Sequence, residues 1–232
     1  MHFDFTWPGG KSGACATSWD DGTVYDFRLV EILNRYGLKG TFNLNSGKLG
    51  LTAEQSGWKA YVRPDDIPKL YVGHEVASHT VTHPRLDRLP DDRVLSEIID
   101  DCATLERIVG YPIRGFALPY GRSNDRVASL IQKTGIAYVR PVEECRDFSL
   151  PDNFHYWRPT CHHNADITGL WSRFIENKSP AKLFDLWGHS YEFEDNRNWS
   201  HIEEFARIAG GSDSIWFATN DEICDYVVNF PE

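Results

Sequence analysis

A closed or nearly closed β/α barrel is the fold this sequence predicts. Three observations carry the prediction. Short apolar runs with strand composition alternate with helical patterns along nearly the whole chain. That alternation implies a parallel sheet covered by helices. The runs number about eight, the strand count of a β/α barrel. The 232 residues contain no internal repeat and no low-complexity linker, so residues 1–232 read as a single domain.

Gly13–Ser18 is the first expected strand. A helix over Tyr25–Tyr36 follows and stops at Gly37. Gly40–Leu44 is the second strand. Asn45–Arg63, with Gly47, Gly50 and Gly57, has no clear pattern and is expected as a loop over one face. His74–Ser78 is the third strand. The clearest helix then runs from Pro90 to Val109, with Val94, Leu95, Ile98, Ile99, Cys102, Leu105 and Ile108 on one face and Gly110 as its stop. Arg114–Leu118 is the fourth strand. A helix over Asn124–Thr134 follows Ser123 as N-cap and ends at Gly135. Ile136–Arg140 is the fifth strand, after which Pro141–Tyr156 interrupts the alternation. Trp157–Thr160 and Lys182–Trp187 are the sixth and seventh strands. Trp199–Ala209 is a helix closed by Gly210-Gly211, and Ser214–Ala218 is the eighth strand. Thr219-Asn220-Asp221-Glu222 is a capping box that opens a last helix.

Composition narrows the function. Hydrophobic residues make up 41% of the chain, enough for a sizeable core. The formal net charge is −10 and no Lys/Arg run exists, which argues against nucleic acid or an anionic membrane as partner. No apolar run approaches the ~18 residues that span a bilayer. The five Cys (Cys15, Cys102, Cys145, Cys161, Cys224) are scattered without pairing, which suits a reducing compartment. Met1-His2-Phe3-Asp4 has neither a basic nor an apolar leader pattern, so a cytoplasmic location is expected.

Two short stretches carry the chemistry. Ser18-Trp19-Asp20-Asp21-Gly22 offers adjacent carboxylates, and His79-Thr80-Val81-Thr82-His83 offers imidazoles four residues apart. One carboxylate and two imidazoles make a three-ligand divalent-metal site with a position left open for water. The spare carboxylate is then placed to take a proton from that water. By itself Asp-Asp-Gly after a strand is most often a turn, and nine histidines would place about 0.3 such pairs by chance. Position changes the odds. Asp20 and Asp21 follow the first strand, His79 and His83 the third, Pro119-Tyr120-Gly121 the fourth and His189 the seventh. Active sites of β/α barrels are built at those strand ends.

These residues resemble the polysaccharide deacetylases of the NodB-homology group, from about Ala14 to Asp225. The resemblance implies a distorted (β/α)7-8 barrel and metal-dependent amide hydrolysis. The family's Thr-Phe-Asp-Asp-Gly motif is matched by Ser18-Trp19-Asp20-Asp21-Gly22, which makes Asp20 the base and Asp21 a metal ligand. Its His-Ser/Thr-x-x-His motif is matched by His79 and His83, the other two ligands. Its Arg-x-Pro-Tyr motif is matched by Ala117-Leu118-Pro119-Tyr120, with the Tyr120 N–H expected at the oxyanion. Its late Leu-x-His motif is matched loosely by Leu186-x-x-His189, which makes His189 the general acid. Two departures stand out. The family Arg is Ala117 here, and the Asp/Trp element that orients the catalytic His is not recognisable. Arg140, at the end of the next strand, is placed to supply the missing guanidinium.

The remaining candidates are weaker. His162-His163 sits near the sixth strand as a loop pair. His74 and Glu75 read as structural, and His2, His155 and His201 carry no pattern. Trp19, Trp187 and Tyr191 flank motif residues and could stack on sugar rings. The expected cofactor is one divalent metal, zinc from the N/O ligand set, with Co, Ni, Mn or Fe as the other candidates. The expected partner is a small-molecule or oligosaccharide substrate. Three readings follow: removal of an N-acetyl or other short acyl group from an amino sugar or sugar conjugate, hydrolysis of non-carbohydrate C–N bonds, or metal-retaining carbohydrate binding without turnover, the last motivated by Ala117.

Overall fold

The computed structural model describes residues 5–230. Eight strands form one parallel sheet: β1 Gly13–Asp21, β2 Thr41–Leu44, β3 Glu75–Ser78, β4 Gly115–Ala117, β5 Tyr138–Arg140, β6 Cys161–His162, β7 Leu183–Gly188 and β8 Ile215–Phe217. Their order is β5-β4-β3-β2-β1-β7-β6, with β8 paired to β1. One edge of β1 holds β7 over Ala14 to Trp19. Its other edge is shared, with β8 against Gly13 to Cys15 and β2 against Ser18 to Asp21. Nine α-helices are described: α1 Asp26–Arg35, α2 Ala53–Ser56, α3 Ile67–Leu70, α4 Asp91–Val109, α5 Asp125–Ile131, α6 Ile167–Glu176, α7 Ser190–Asp195, α8 Trp199–Gly210 and α9 Asn220–Val228.

The barrel is distorted where β5 and β6 fail to pair among the described residues. The expected sixth strand, Trp157–Thr160, is not one. Pro159 cannot donate to a ladder, and the segment crosses the gap on single bonds. Trp157 N–H donates to Val139 O at 2.9 Å, and Thr160 N–H donates to Asp185 O at 2.8 Å. Pairing begins only at Cys161, so His162 lies on a strand rather than in a loop.

Strand alternation sorts side chains into two cores. Cys15, Trp19, Phe42, Phe184 and Leu186 pack outward against α1, α6 and α8, whose buried residues include Leu29, Leu33, Trp171 and Phe205. Ala14, Ala16, Tyr138, Trp157, Leu183 and Ala218 fill the lower interior. The same alternation puts Ser18, Asp20, Asp185 and Trp187 in the interior, so this barrel carries a polar column above its apolar floor.

The helices differ from expectation in instructive ways. On α4 the buried residues are Val94, Glu97, Ile98, Asp101 and Leu105, while Ile99 is 49% exposed. Two acids thus belong to the face expected to be apolar. Asn124, not Ser123, caps α5, its side chain accepting from Val127 N–H at 2.9 Å. Helix α6, capped by Asp166, was not evident from the pattern. The capping box of α9 is formed by Thr219 and Glu222. Asn45–Arg63 folds back beside β1: Val62 N–H donates to Gly22 O and Val24 N–H to Ala60 O. Among the described residues no helix is long and apolar enough to cross a membrane.

Asp185 gives the fold a testable pH signature. It is 1% exposed, and neither carboxyl oxygen has a protein hydrogen-bond partner among the described residues. Burial pushes its carboxyl up to about 8, although Arg140 pulls the other way. The fold therefore keeps a proton that the unfolded chain releases near the ordinary Asp value of ~3.9. Stability falls with rising pH wherever the folded state binds more protons, so this group weakens the fold between about pH 4 and about pH 8. In Asp185→Asn that loss should disappear. Urea midpoints should favour the variant progressively more from about pH 5 to about pH 8. A difference that does not change with pH would show the carboxyl ionised in the fold.

Candidate metal and catalytic site

The polar residues gather where β1, β3, β4, β5 and β7 end. Asp20 and Asp21 are the last two residues of β1, still paired to β2, rather than residues of a following turn. Alternation directs Asp20 inward and would direct Asp21 outward. Asp21 instead has φ 80°, the left-handed region rare for a residue with Cβ. Gly22 also has positive φ, and a Cβ there would lie 2.7 Å from Leu44 Cδ2. This bend returns Asp21 to the mouth, and Thr80 (φ 70°) and His83 (φ 61°) make a matching bend after β3.

The bends bring Asp21, His79 and His83 together. Their candidate ligand atoms all lie within 4.8 Å of one another. Asp21 Oδ1 is 3.7 Å from His83 Nε2 and 4.0 Å from His79 Nε2. One ion at about 2.0–2.2 Å from each can bridge such gaps. The protonation states suit a metal. His79 Nδ1–H donates to the carbonyl of Ala117 at 2.8 Å, which leaves Nε2 bare. Burial, with the nearby His79 ring and the Lys48 ammonium, lowers His83 to about 3 and keeps its ring neutral.

Side chains from α4 hold this loop. Asp101 accepts from Ser78 Oγ at 2.6 Å and from His79 N–H at 3.2 Å. Glu97 accepts from Thr82 N–H and Thr82 Oγ1, both at 2.8 Å. Asn45 Nδ2 donates to the carbonyls of His79 and Thr80. None of these three was singled out from the sequence. The available signal was two acids, four residues apart, on the apolar face of the longest helix.

Asp20 is 2% exposed. Its Oδ1 accepts from Arg140 Nη2 and from Asn43 Nδ2, the latter at 2.8 Å. Arg140 is itself 1% exposed, with Nε donating to Ser18 Oγ at 3.1 Å and its guanidinium 4.8 Å above the Trp187 ring. Arg140 pairs in register with Ala117 on the neighbouring strand. From there it reaches across the interior to β1. Burial alone would raise the Asp20 carboxyl. The charge of Arg140, the nearby His79 and His189 rings and the Arg140 hydrogen bond outweigh burial and hold it well below the usual carboxylate range.

His189 caps α7 at the end of β7, and its Nδ1 lies 3.0 Å from Glu192 Oε1. Burial lowers its basicity, but Glu192, Asp20 and Asp21 together raise it above the ordinary value. Glu192 belongs to no motif in the sequence; its signal is an acid three residues after a candidate His in the first turn of a helix. His163 is fully buried behind Glu192, and His162 is lowered to about 4 by burial and by His163.

A cleft of about 530 Å³ lies over these groups. Asp20, Asp21, His79, His83 and His189 line its floor, and Leu118, Tyr120, Arg85, Arg122, Trp187 and Tyr191 its walls. Tyr120 has φ 57° and its ring sits 4.6 Å from that of His83. Of the three aromatics expected near sugar, Trp187 and Tyr191 reach the cleft. Trp19 does not: it is fully buried on the outer face, with Nε1 donating to Thr17 Oγ1 at 2.8 Å. His74 accepts from Gly40 N–H at 3.0 Å, and Glu75 accepts from Thr41 and Tyr138, each at 2.7 Å. His155 and His201 bond to backbone carbonyls, whereas His2 lies outside the described residues.

Comparison with known proteins bears on the family and the fold. The chain is 29% identical over 122 residues to a peptidoglycan-N-acetylglucosamine deacetylase of Bacillus cereus, covering 51% of this chain and 40% of that protein. It is 28% identical over 149 residues to a chitooligosaccharide deacetylase of Sinorhizobium fredii, covering 61% of this chain and 64% of the relative. The chain thus spans less than two thirds of the length of each of these relatives. Among solved structures, a chain described as a probable polysaccharide deacetylase from Pseudomonas aeruginosa superposes with TM-score 0.74 at 13% identity, covering 97% of this chain and 94% of that one. A family 4 acetyl xylan esterase from Clostridium thermocellum, solved with a cobalt ion, gives TM-score 0.61 at 14% identity over 93% and 91%. At these identities the likeness speaks for the fold alone. The family model described as polysaccharide deacetylase matches residues 9–139, more than half of the chain, and the chain belongs to that family.

Proposed function

We propose that this chain is a divalent-metal-dependent hydrolase that removes an N-acetyl or other short acyl group from an amino sugar or sugar conjugate. The observation that carries the reading is one cleft joining the Asp21–His79–His83 cluster, the Asp20–Arg140 pair and His189. The relatives named as deacetylases of N-acetylglucosamine and chitooligosaccharides support an N-acetylamino sugar as substrate class. When bound by Asp21, His79 and His83, a divalent ion, zinc by its ligand set, supplies Lewis acidity and a water whose pKa is lowered to about 7.

The residues of the chain divide the remaining work. Asp20 accepts a proton from the attacking water. A carboxyl held so low is a weak base in the free protein, so its value lies in being always ionised and fixed in place by Arg140 and Asn43. The Tyr120 backbone N–H stabilises the oxygen on which charge develops. His189 gives its proton to the departing amine, which is too basic to leave without one. Trp187 and Tyr191 offer ring faces against the sugar. Contact between Arg140 and Asp20 favours turnover over the binding-only reading, because the cation absent at Ala117 is supplied from the next strand.

Two measurements test the assignment. His83→Ala should lose the bound metal by elemental analysis yet keep its far-ultraviolet circular dichroism spectrum, since the ligand sits at a loop end rather than in a core cluster. Full metal occupancy in that variant would remove His83 from the site. Acetate release from an N-acetylated oligosaccharide panel should fall ~10²–10⁴-fold in Asp20→Asn with metal retained. Arg140→Lys should also lose activity, because one ammonium cannot reproduce the guanidinium's contacts to Asp20, Ser18 and Pro141. Near-parental kcat in either variant would contradict the Asp20 role.

A further inference from the structure

Behind His189 lies a small, half-buried assembly that the proposed metal site and base do not explain. The Glu192 carboxylate is held between two imidazoles. Its Oε1 is 3.0 Å from His189 Nδ1, and its Oε2 is 3.1 Å from His163 Nε2. Asn164 Nδ2 donates to Oε2 at 2.8 Å. The two ring nitrogens approach off the ideal hydrogen-bond line, as is common before substrate tightens a site.

His163 cannot shift. Its N–H donates to Trp187 O at 2.8 Å, and its carbonyl accepts from His201 Nε2 at 2.8 Å. Its ring packs 4.2 Å from that of Phe193 and lies over Gly188, where a Cβ would come within 2.0 Å of His163 Cδ2. Gly188 is therefore required by the imidazole behind the acid. His189 is the N-cap of α7 and Glu192 stands in its first turn, so acid and carboxylate ride on one element.

A second metal at His162, His189 and Glu192 is the competing reading, since their ligand atoms lie within 4.8 Å of one another. The tautomer of His162 opposes it. His162 Nδ1 accepts from Asn164 N–H at 3.2 Å, which leaves the proton on Nε2, the nitrogen facing Glu192. A ligating ring needs that nitrogen bare and its other N–H donating outward.

We propose that Glu192 is the positioning residue of the general acid, and that His163 and Asn164 hold Glu192 so that His189 keeps Nδ1 protonated and turns Nε2 toward the cleft. This rests on the reading of His189 as acid. The direction of the shifts agrees: burial alone would raise Glu192, yet His163 and His189 hold it well below the usual carboxylate range.

The test compares leaving groups in Glu192→Gln and His163→Gln, with metal content measured in each. An N-acetylglucosamine oligomer needs its amine protonated to leave; p-nitrophenyl acetate does not. Glu192→Gln should lower kcat on the oligomer ~10²-fold with little change in KM, and on the ester less than about threefold. His163→Gln should show a smaller loss with the same preference for the oligomer, and Glu192→Asp should recover part of the activity. Equal losses on both substrates, or none on the oligomer, would overturn the proposal. Nitrogen-15 NMR of the neutral His189 ring reads the tautomer without any substrate. It should show Nδ1–H in the parent and a shift toward Nε2–H in Glu192→Gln; an unchanged tautomer also overturns it. Failure of the parent to release acetate would instead count against the proposed function, with the tautomer still deciding the role of Glu192.

Discussion

Two adjacent carboxylates on one strand must face the same cleft, and the rest of the site follows from how the chain achieves this. A regular strand would send Asp20 and Asp21 to opposite faces. The left-handed turn at Asp21 and Gly22 cancels that alternation. Backbone in this region costs on the order of 1–3 kcal/mol at a residue other than glycine, so surrounding contacts must enforce it. They do so from both sides. The β1–β2 ladder continues through Asp21 and Leu44, and Val62 N–H donates to the carbonyl of Gly22. Once both carboxylates share the mouth, their repulsion has to be relieved. Arg140 and Asn43 take Asp20, leaving Asp21 to the imidazoles.

The same logic extends outward. Each candidate ligand is oriented by a polar group from a different element: Ala117 O on β4 fixes the His79 ring, Asp101 and Glu97 on α4 fix its loop, and Asn45 ties that loop to the end of β2. Such outer contacts set the tautomer and direction of metal ligands. They also explain why the core carries so many buried polar side chains near one end. A polar group removed from water without a partner costs roughly 1–3 kcal/mol, and most of these are partnered by one another. Asp185 is an exception, with neither carboxyl oxygen partnered among the described residues, and its raised pKa marks a group that is neutral at the pH where Asp20 is charged.

Much of the fold was legible because it follows periodicity and punctuation. Strand–helix alternation, Gly110 after α4 and the Thr219–Glu222 box lie on the page of the sequence, and their elements form where expected. Asp20, Asp21, His79, His83, Tyr120 and His189 stand in motifs at strand ends, Arg140 is named only through the Arg that the family resemblance implies and Ala117 lacks, and the fold brings them to one cleft or, for Arg140, directly beneath it. What was not legible depends on three-dimensional neighbours. Glu97 and Asp101 look like surface acids until α4 is laid against the His79 loop. Trp19 looks like a sugar platform until β1 alternation turns it outward. The sixth strand begins four residues late because Pro159 breaks the ladder. Glu192 stands where a helix N-terminus ordinarily attracts an acid, and only the positions of His163 and His189 give it another reading.

Crystals grown with zinc and measured on both sides of the zinc absorption edge would locate the ion. One anomalous peak is expected, about 2.0–2.2 Å from Asp21 Oδ1, His79 Nε2 and His83 Nε2, present above the edge and absent below it. A cleft without a peak, or a peak held instead by His162, His189 and Glu192, would contradict this assignment.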